Sequence, residues 1–201
     1  TVKNLSSCTD MELVELAKAN NSMAFGCIVE RYGQRITATI TGMLGHVAEV
    51  EDVAQTVFLR FYKSLDQYKG EAQLSTYLTR IAINLSLNAL KVRKRQSWFT
   101  YFSMTAGLKE ASDSDEHQAP PLQIADETDY GNQALNRDLV QKALNKLPDD
   151  LRTVAVLRLM EGYSTQETAN LLQIPLGTVL SKLARARDKL RLILQHLGYE
   201  Q

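Results

Sequence analysis

The stretch STQETANLLQIPLGTVLSKLARAR, residues 164–187, decides how this chain is read. Ser164 followed three residues later by Glu167 is a capping-box pattern, in which each side chain satisfies a backbone amide at the other. It opens a short helix expected to end at Leu172. Pro175 suits the first position of a second helix, where its fixed φ fits and its missing N–H is no loss. That helix is expected to reach about Leu197. Ala169, Leu172, Ile174, Val179 and Leu183 would pack the pair together across a turn at Gln173, Ile174 and Pro175, giving a helix-turn-helix. The second helix would turn Thr178, Ser181, Lys182, Arg185 and Arg187 outward, a polar and cationic set suited to a major groove. Backbone amides from Leu176 to Thr178 would suit a phosphate. Two packed helices with solvated basic side chains fit the same pattern.

Helical periodicity extends outward in both directions. Upstream, helices are expected over Asn136 to Lys146 and over Asp149 to Glu161, the latter following Pro148 and stopping at Gly162. The N-terminal block reads as four helices. The first is capped by Asp10 and runs through Asn20; the second spans about Ser22 to Leu44, with Phe25, Ile28, Val29, Tyr32 and Ile36 as its stripe. The third, Ala48 to Leu65, has an acidic first turn (Glu49, Glu51, Asp52) that suits the positive end of the helix dipole. The fourth, Leu74 to Arg95, ends in Lys91, Arg93, Lys94 and Arg95. Residues 96–133 break the pattern: Trp98, Phe99, Tyr101 and Phe102 precede a Ser/Asp/Glu-rich stretch with Pro120 and Pro121, which composition marks as a flexible acidic linker. No strand pattern stands out. The expected fold is all-α, with two small helical domains at 1–95 and 134–201 joined by a linker at 96–133.

Composition sets bounds. Of 201 residues, 44% are hydrophobic and 23% charged, ordinary for a water-facing globular chain. The net charge of zero conceals blocks of +3 (1–95), −6 (96–133) and +3 (134–201), and local field governs binding more than the total does. Only Cys8 and Cys27 are present, too few for a disulfide framework, so a reduced, cytoplasmic setting is expected. Asp10, Glu12 and Glu15 argue against a signal peptide. The longest uncharged runs, Ile36 to Ala48 and Gln96 to Leu108, fall short of the roughly 18–20 residues that span a bilayer. His46, His117 and His196 are scattered, and no HExxH, phosphate-loop or nucleophile motif occurs. Neither enzyme activity, a cofactor nor a metal is expected, although Glu49, Glu51 and Asp52 could be imagined as ligands.

The run ALNKLPDDLRTVAVLRLMEGYSTQETANLLQIPLGTVLSKLARARDKLR resembles the C-terminal DNA-binding domain of extracytoplasmic-function RNA polymerase sigma factors, members of the sigma-70 family. The matching elements are the LP before a helix, RxVxxLRxxEGxS, and IPxGTVxSxLxRARxxL. EVEDVAQTVFLRFYKSLDQYKGEAQLSTYLTRIAINLSLNAL is similar to the family's core-binding and −10 segment, with EDxxQxxF and TxLxRIAxN elements in the right order. The resemblance implies polymerase binding by Glu51, Asp52, Gln55 and Phe58, with Phe58 also readable as core. It implies capture of the melted −10 element by Tyr68, Lys69, Gly70, Gln73, Ser75, Thr76, Tyr77, Arg80 and Asn84, with Lys91 and Arg93 in a phosphate-contacting cluster. It implies −35 reading by Ser164, Thr165, Gly177, Thr178, Ser181, Lys182, Arg185 and Arg187. Implied partners are the β and β′ subunits of core polymerase, promoter DNA and an inhibitory anti-sigma factor, in a stress-responsive setting with no stable homo-oligomer. The linker would thread toward the polymerase active site or act as a plain spacer. Thr56, Asn88, Lys91, Gln173 and Leu180 depart from the family pattern; Gln173 stands where a turn glycine is common, and Leu180 where a basic residue usually faces DNA.

Overall fold

The structure, a computed structural model, describes residues 5–105 and 133–197. Among these are eight α-helices and no strand: α1 (Asp10–Lys18), α2 (Ser22–Leu44), α3 (Glu49–Lys63), α4 (Leu74–Thr105), α5 (Gln133–Asn145), α6 (Asp149–Ala155), α7 (Thr165–Leu172) and α8 (Leu176–His196). The all-α expectation holds. No described helix is long and apolar enough to cross a membrane.

Local chemistry sets the helix starts. The cap of α1 is Thr9 rather than Asp10: the Glu12 amide donates to Thr9 Oγ1 at 3.3 Å, and the Thr9 amide donates to Glu12 Oε2 at 2.8 Å. Asp10, set free from capping, accepts from Arg31 Nη1 at 2.7 Å and from the Tyr32 hydroxyl, tying α1 to α2. Asn21 Oδ1 caps α2 by accepting from the Met23 and Ala24 amides. Helix α2 is the spine of the N-terminal block, burying Ala24, Ile28, Ile36, Ile40 and Met43 against α1, α3 and α4. At the centre Phe61 is fully buried, with the rings of Phe25, Tyr68 and Tyr77 about it at centroid distances of 5.9–6.1 Å.

Helix α4 continues ten residues past Arg95 into the stretch read as linker. The aromatic run therefore begins on a helix, where Trp98 and Phe99 are largely exposed. Residues 96–105 contain neither Gly nor Pro, so nothing in the local sequence stops the helix at Arg95. The rest of the acidic linker, 106–132, lies outside the described residues. In the C-terminal block the helix expected over Asp149 to Glu161 is α-helical only to Ala155 and closes with a π-helical turn, Val156–Met160. Leu144, Leu147, Leu151 and Ala155 pack on Ala186, with Leu190 and Ile193 beside them; Val154 and Ala169 pack on Val179 and Leu183.

The two blocks pack against each other. Val156, Leu157, Tyr163 and Leu171 belong to the same core as α2 and α4. The π-helical turn lies against Gly42 of α2; a Cβ there would stand 3.1 Å from Met160 Sδ and 3.1 Å from Val156 Cγ2, so the missing side chain sets the closeness of approach.

Candidate functional site

The helix-turn-helix forms as the sequence predicts. Ser164 Oγ accepts from the Glu167 amide at 3.1 Å, and Glu167 Oε2 accepts from the Ser164 amide at 2.7 Å. Those hydrogen bonds hold the Glu167 carboxyl below the usual carboxylate range. The turn between α7 and α8 passes through Gln173 in the left-handed region (φ 55°, ψ 44°), whose amide donates to the Ala169 carbonyl. That conformation disfavours a residue bearing Cβ, so the turn keeps the geometry a glycine would take although Gln173 stands in its place. Burial of Val179, Leu183 and Ala186 fixes the rotation of α8 about its axis. Ser181, Arg185 and Arg187 consequently face solvent, Gly177 is exposed, and Thr165 and Thr178 are half-buried. Lys182 is engaged: its ammonium pairs with Asp150 at the start of α6, which holds the Asp150 carboxyl below its ordinary value.

On α3, Glu51, Asp52 and Gln55 share an exposed side, so the expected docking carboxylates are available. Phe58 is not: it is 8% exposed and belongs to the core, which assigns it to holding α3 in place. Tyr68 is likewise buried. Only 5% exposed, it lies edge-on to Phe61 and Tyr77, and its hydroxyl donates to the Ala72 carbonyl at 2.7 Å, so it has no free face for a base. Tyr77 is half-buried in the same cluster, its hydroxyl 3.3 Å from Ser64 Oγ. Lys69, Gly70, Gln73, Arg80, Asn84 and Lys91 are exposed along the loop and the outer side of α4, while Ser75 and Thr76 are half-buried. Arg93 also departs from expectation: Nε donates to Glu49 Oε2 at 2.8 Å and Nη1 to the Leu44 carbonyl at 3.2 Å, making it a clamp on the C-terminus of α2.

Residues to which the sequence reading gave no structural role hold the two blocks together. Arg152 is 6% exposed and turns all three of its guanidinium nitrogens onto backbone carbonyls. Nε donates to Leu144 at 2.8 Å, Nη1 to Met43 at 2.8 Å, and Nη2 to Asn145 at 2.7 Å and Leu147 at 3.0 Å. Burial lowers its pKa, Asp149 opposes that and Arg93 adds to it. Glu161, 7% exposed at its side chain, accepts from Thr39 Oγ1 at 2.6 Å and from Arg35 Nε at 2.9 Å. The Arg35 guanidinium stands 5.6 Å from the ring centre of Tyr163, whose hydroxyl bonds Thr79 Oγ1 at 3.0 Å inside α4. Lys94 reaches Asp149 at 2.8 Å. The advance signals were an arginine inside an apolar run, LRTVAVL, where a charge is rarely buried unless paired, and the place of Arg152 and Glu161 in the RxVxxLRxxEGxS element.

Comparison with known proteins agrees with this geometry. The model of Sigma-70 region 2 matches residues 28–96, and that of Sigma-70 region 4 matches 137–190. The chain is 33% identical over 192 residues to the RNA polymerase sigma-H factor of Pseudomonas aeruginosa, covering 94% of this chain and 95% of that one. It is 30% identical over 188 residues to the ECF RNA polymerase sigma-E factor of Escherichia coli, covering 90% and 91%. Among solved structures, CnrH in complex with the cytosolic domain of CnrY matches with a TM-score of 0.62 at 23% identity, covering 93% of this chain and 97% of that one. The sigma factor RpoE in complex with the anti-sigma factor NepR, from Bartonella quintana, matches at 0.61 and 21% identity, covering 85% and 96%. The structural likenesses concern the fold.

Proposed function

The chain belongs to the sigma-70 family of RNA polymerase sigma factors, of the extracytoplasmic-function type, and from that membership we propose how its surfaces divide the work of promoter recognition. Helix α3 docks on core polymerase through Glu51, Asp52 and Gln55. The exposed side of α4 and the loop before it, from Lys69 to Asn84, takes the single-stranded −10 element, with cations along the backbone and polar side chains toward splayed bases. The α7–α8 pair reads the −35 duplex, with Ser181 and Arg185 toward base edges and Arg187 toward phosphate. Polymerase supplies the catalysis and this chain none. An anti-sigma partner, the kind of protein with which RpoE of Bartonella quintana is solved in complex, would hold the factor inactive in the cytoplasm until a stress signal releases it.

The observation that carries the reading is the pairing, in one chain, of a helix-turn-helix whose second helix presents Ser181, Arg185 and Arg187 to solvent with a separate exposed carboxylate pair at the start of α3. Each block alone is too weakly basic for strong independent binding, because affinity follows the number of phosphates neutralised. The protein is tested with core polymerase on a library of random promoters, core alone being the control. Initiation from a shared pair of −35 and −10 sequences, lost when the chain is cut after Thr105, is the expected result. Duplex binding by the isolated chain with no stimulation of core would refute it.

A further inference from the structure

Charge does not account for the outer side of α8. Leu176 and Leu180 stand one helical turn apart and are 41% and 50% exposed, while the neighbouring Val179 and Leu183 are buried. Successive residues of a helix turn by about 100°. The packed side of Val179, Leu183 and Ala186 therefore places Leu180 on the outer flank, between Gly177 and Ala184 and next to Ser181. Gly177 leaves this flank open, with nothing within 4 Å of where a Cβ would be. Ser181 spends its hydroxyl hydrogen on the Thr178 carbonyl at 3.0 Å, leaving that oxygen to accept. Lys182 is held by Asp150, so the exposed cations of the helix begin only at Arg185 and continue with Arg187, Lys189 and Arg191. The stretch of α8 before Arg185 thus offers a short, smooth surface without an exposed charge, centred on Leu180, at the end of a recognition helix that comes nearest to base edges.

In the major groove the apolar feature of a base edge is the C5-methyl group of thymine. We propose that Leu180 is a specificity-determining residue that reads a thymine methyl in the −35 element, with Leu176 shielding the contact from water. This rests on α8 entering the major groove as described above. A leucine there discriminates by withdrawing apolar surface from water, and it disfavours cytosine, whose C5 bears no methyl and whose exposed amino group would lose hydration beside it.

The test uses full-length protein in holoenzyme and the −35 sequence selected from a randomised library. Each thymine of that element is replaced singly by deoxyuridine, which removes only the methyl, and binding is measured by competition. Wild type is expected to lose about four-fold at one thymine, the magnitude for withdrawing one methyl-sized group from water. Leu180→Ala should show no loss at that position and unchanged behaviour at the others. Leu180→Met, which keeps an apolar reach, should restore the dependence. Because residue 180 is half-exposed, these variants keep the packed side of α8 intact. Selection of an element without thymine, or equal methyl dependence in wild type and Leu180→Ala, overturns the inference while leaving −35 reading in place. Holoenzyme binding that ignores the −35 duplex altogether overturns the underlying assignment of α8 and the inference with it.

Discussion

Replacing Arg152 by methionine should destabilise the whole molecule, not merely its C-terminal block. Four hydrogen bonds from its guanidinium end on carbonyls of Leu144, Asn145, Leu147 and, in the other block, Met43. A bond from a charged donor contributes about 1.5–3 kcal/mol, and burying the cation costs several kcal/mol in return. Methionine matches much of the stem's volume and abolishes that desolvation cost, but it takes the guanidinium away from the carbonyls of Met43, Asn145 and Leu147, while that of Leu144 keeps the Leu147 amide, in a site where the arginine was 6% exposed. With each buried acceptor left without its donor costing about 1–3 kcal/mol, the net loss should be about 3–5 kcal/mol. Against a typical stability of about 5–15 kcal/mol this is a large fraction. In urea, with a slope near 2 kcal/mol/M, the midpoint of the helical circular-dichroism transition should fall by about 1.5–2.5 M. Arg152→Lys should recover little, because one ammonium cannot span carbonyls on both sides of a planar fork. A midpoint within about 0.3 M of wild type, well under the shift that slope implies, would refute the argument. It would mean that water replaces the guanidinium, and that the carbonyls at the α5–α6 corner do not depend on it.

Other expectations follow from particular contacts. Gln173→Gly should stabilise by about 1 kcal/mol, since glycine enters the left-handed region without the Cβ penalty, and thermal unfolding would show it. Gly42→Leu should destabilise by about 1–3 kcal/mol through overpacking against Met160 and Val156, with faster amide exchange in the π-helical turn. Asp150 and Glu167 both have carboxyl pKa values depressed in the folded state, the first by Lys182 and the second by the Ser164 amide. The stability they contribute is therefore present above the unfolded carboxylate values, near pH 4, and is lost as pH falls through the folded values. Lys182→Met should flatten that acid-side decline in a pH series of urea midpoints, and an unchanged slope would exclude the Asp150 pair as a cause.

The parts of this protein that depend on neighbours along the chain were legible in advance. The Ser164 and Glu167 cap, the outward set Ser181, Arg185 and Arg187, and the carboxylates at the start of α3 all follow from spacing of three or four residues. Asp10 and Thr9 both suit a cap; the reciprocal bonds of Thr9 and Glu12 take it, which leaves Asp10 to Arg31 and Tyr32 of another helix. Elsewhere a residue had two local readings and only packing chose. Phe58 and Tyr68 lie on helix and loop positions that could face either way, and the aromatic cluster around Phe61 drew Tyr68 inward, away from any base. The joining of the two blocks was beyond local reading altogether. It rests on Arg152 reaching Met43, Glu161 reaching Thr39, and Tyr163 reaching Thr79, pairs 84 to 122 residues apart in the chain. Periodicity records which side of a helix is apolar, but it does not record which carbonyl across the molecule will be left waiting for a donor. That is decided only when the helices meet.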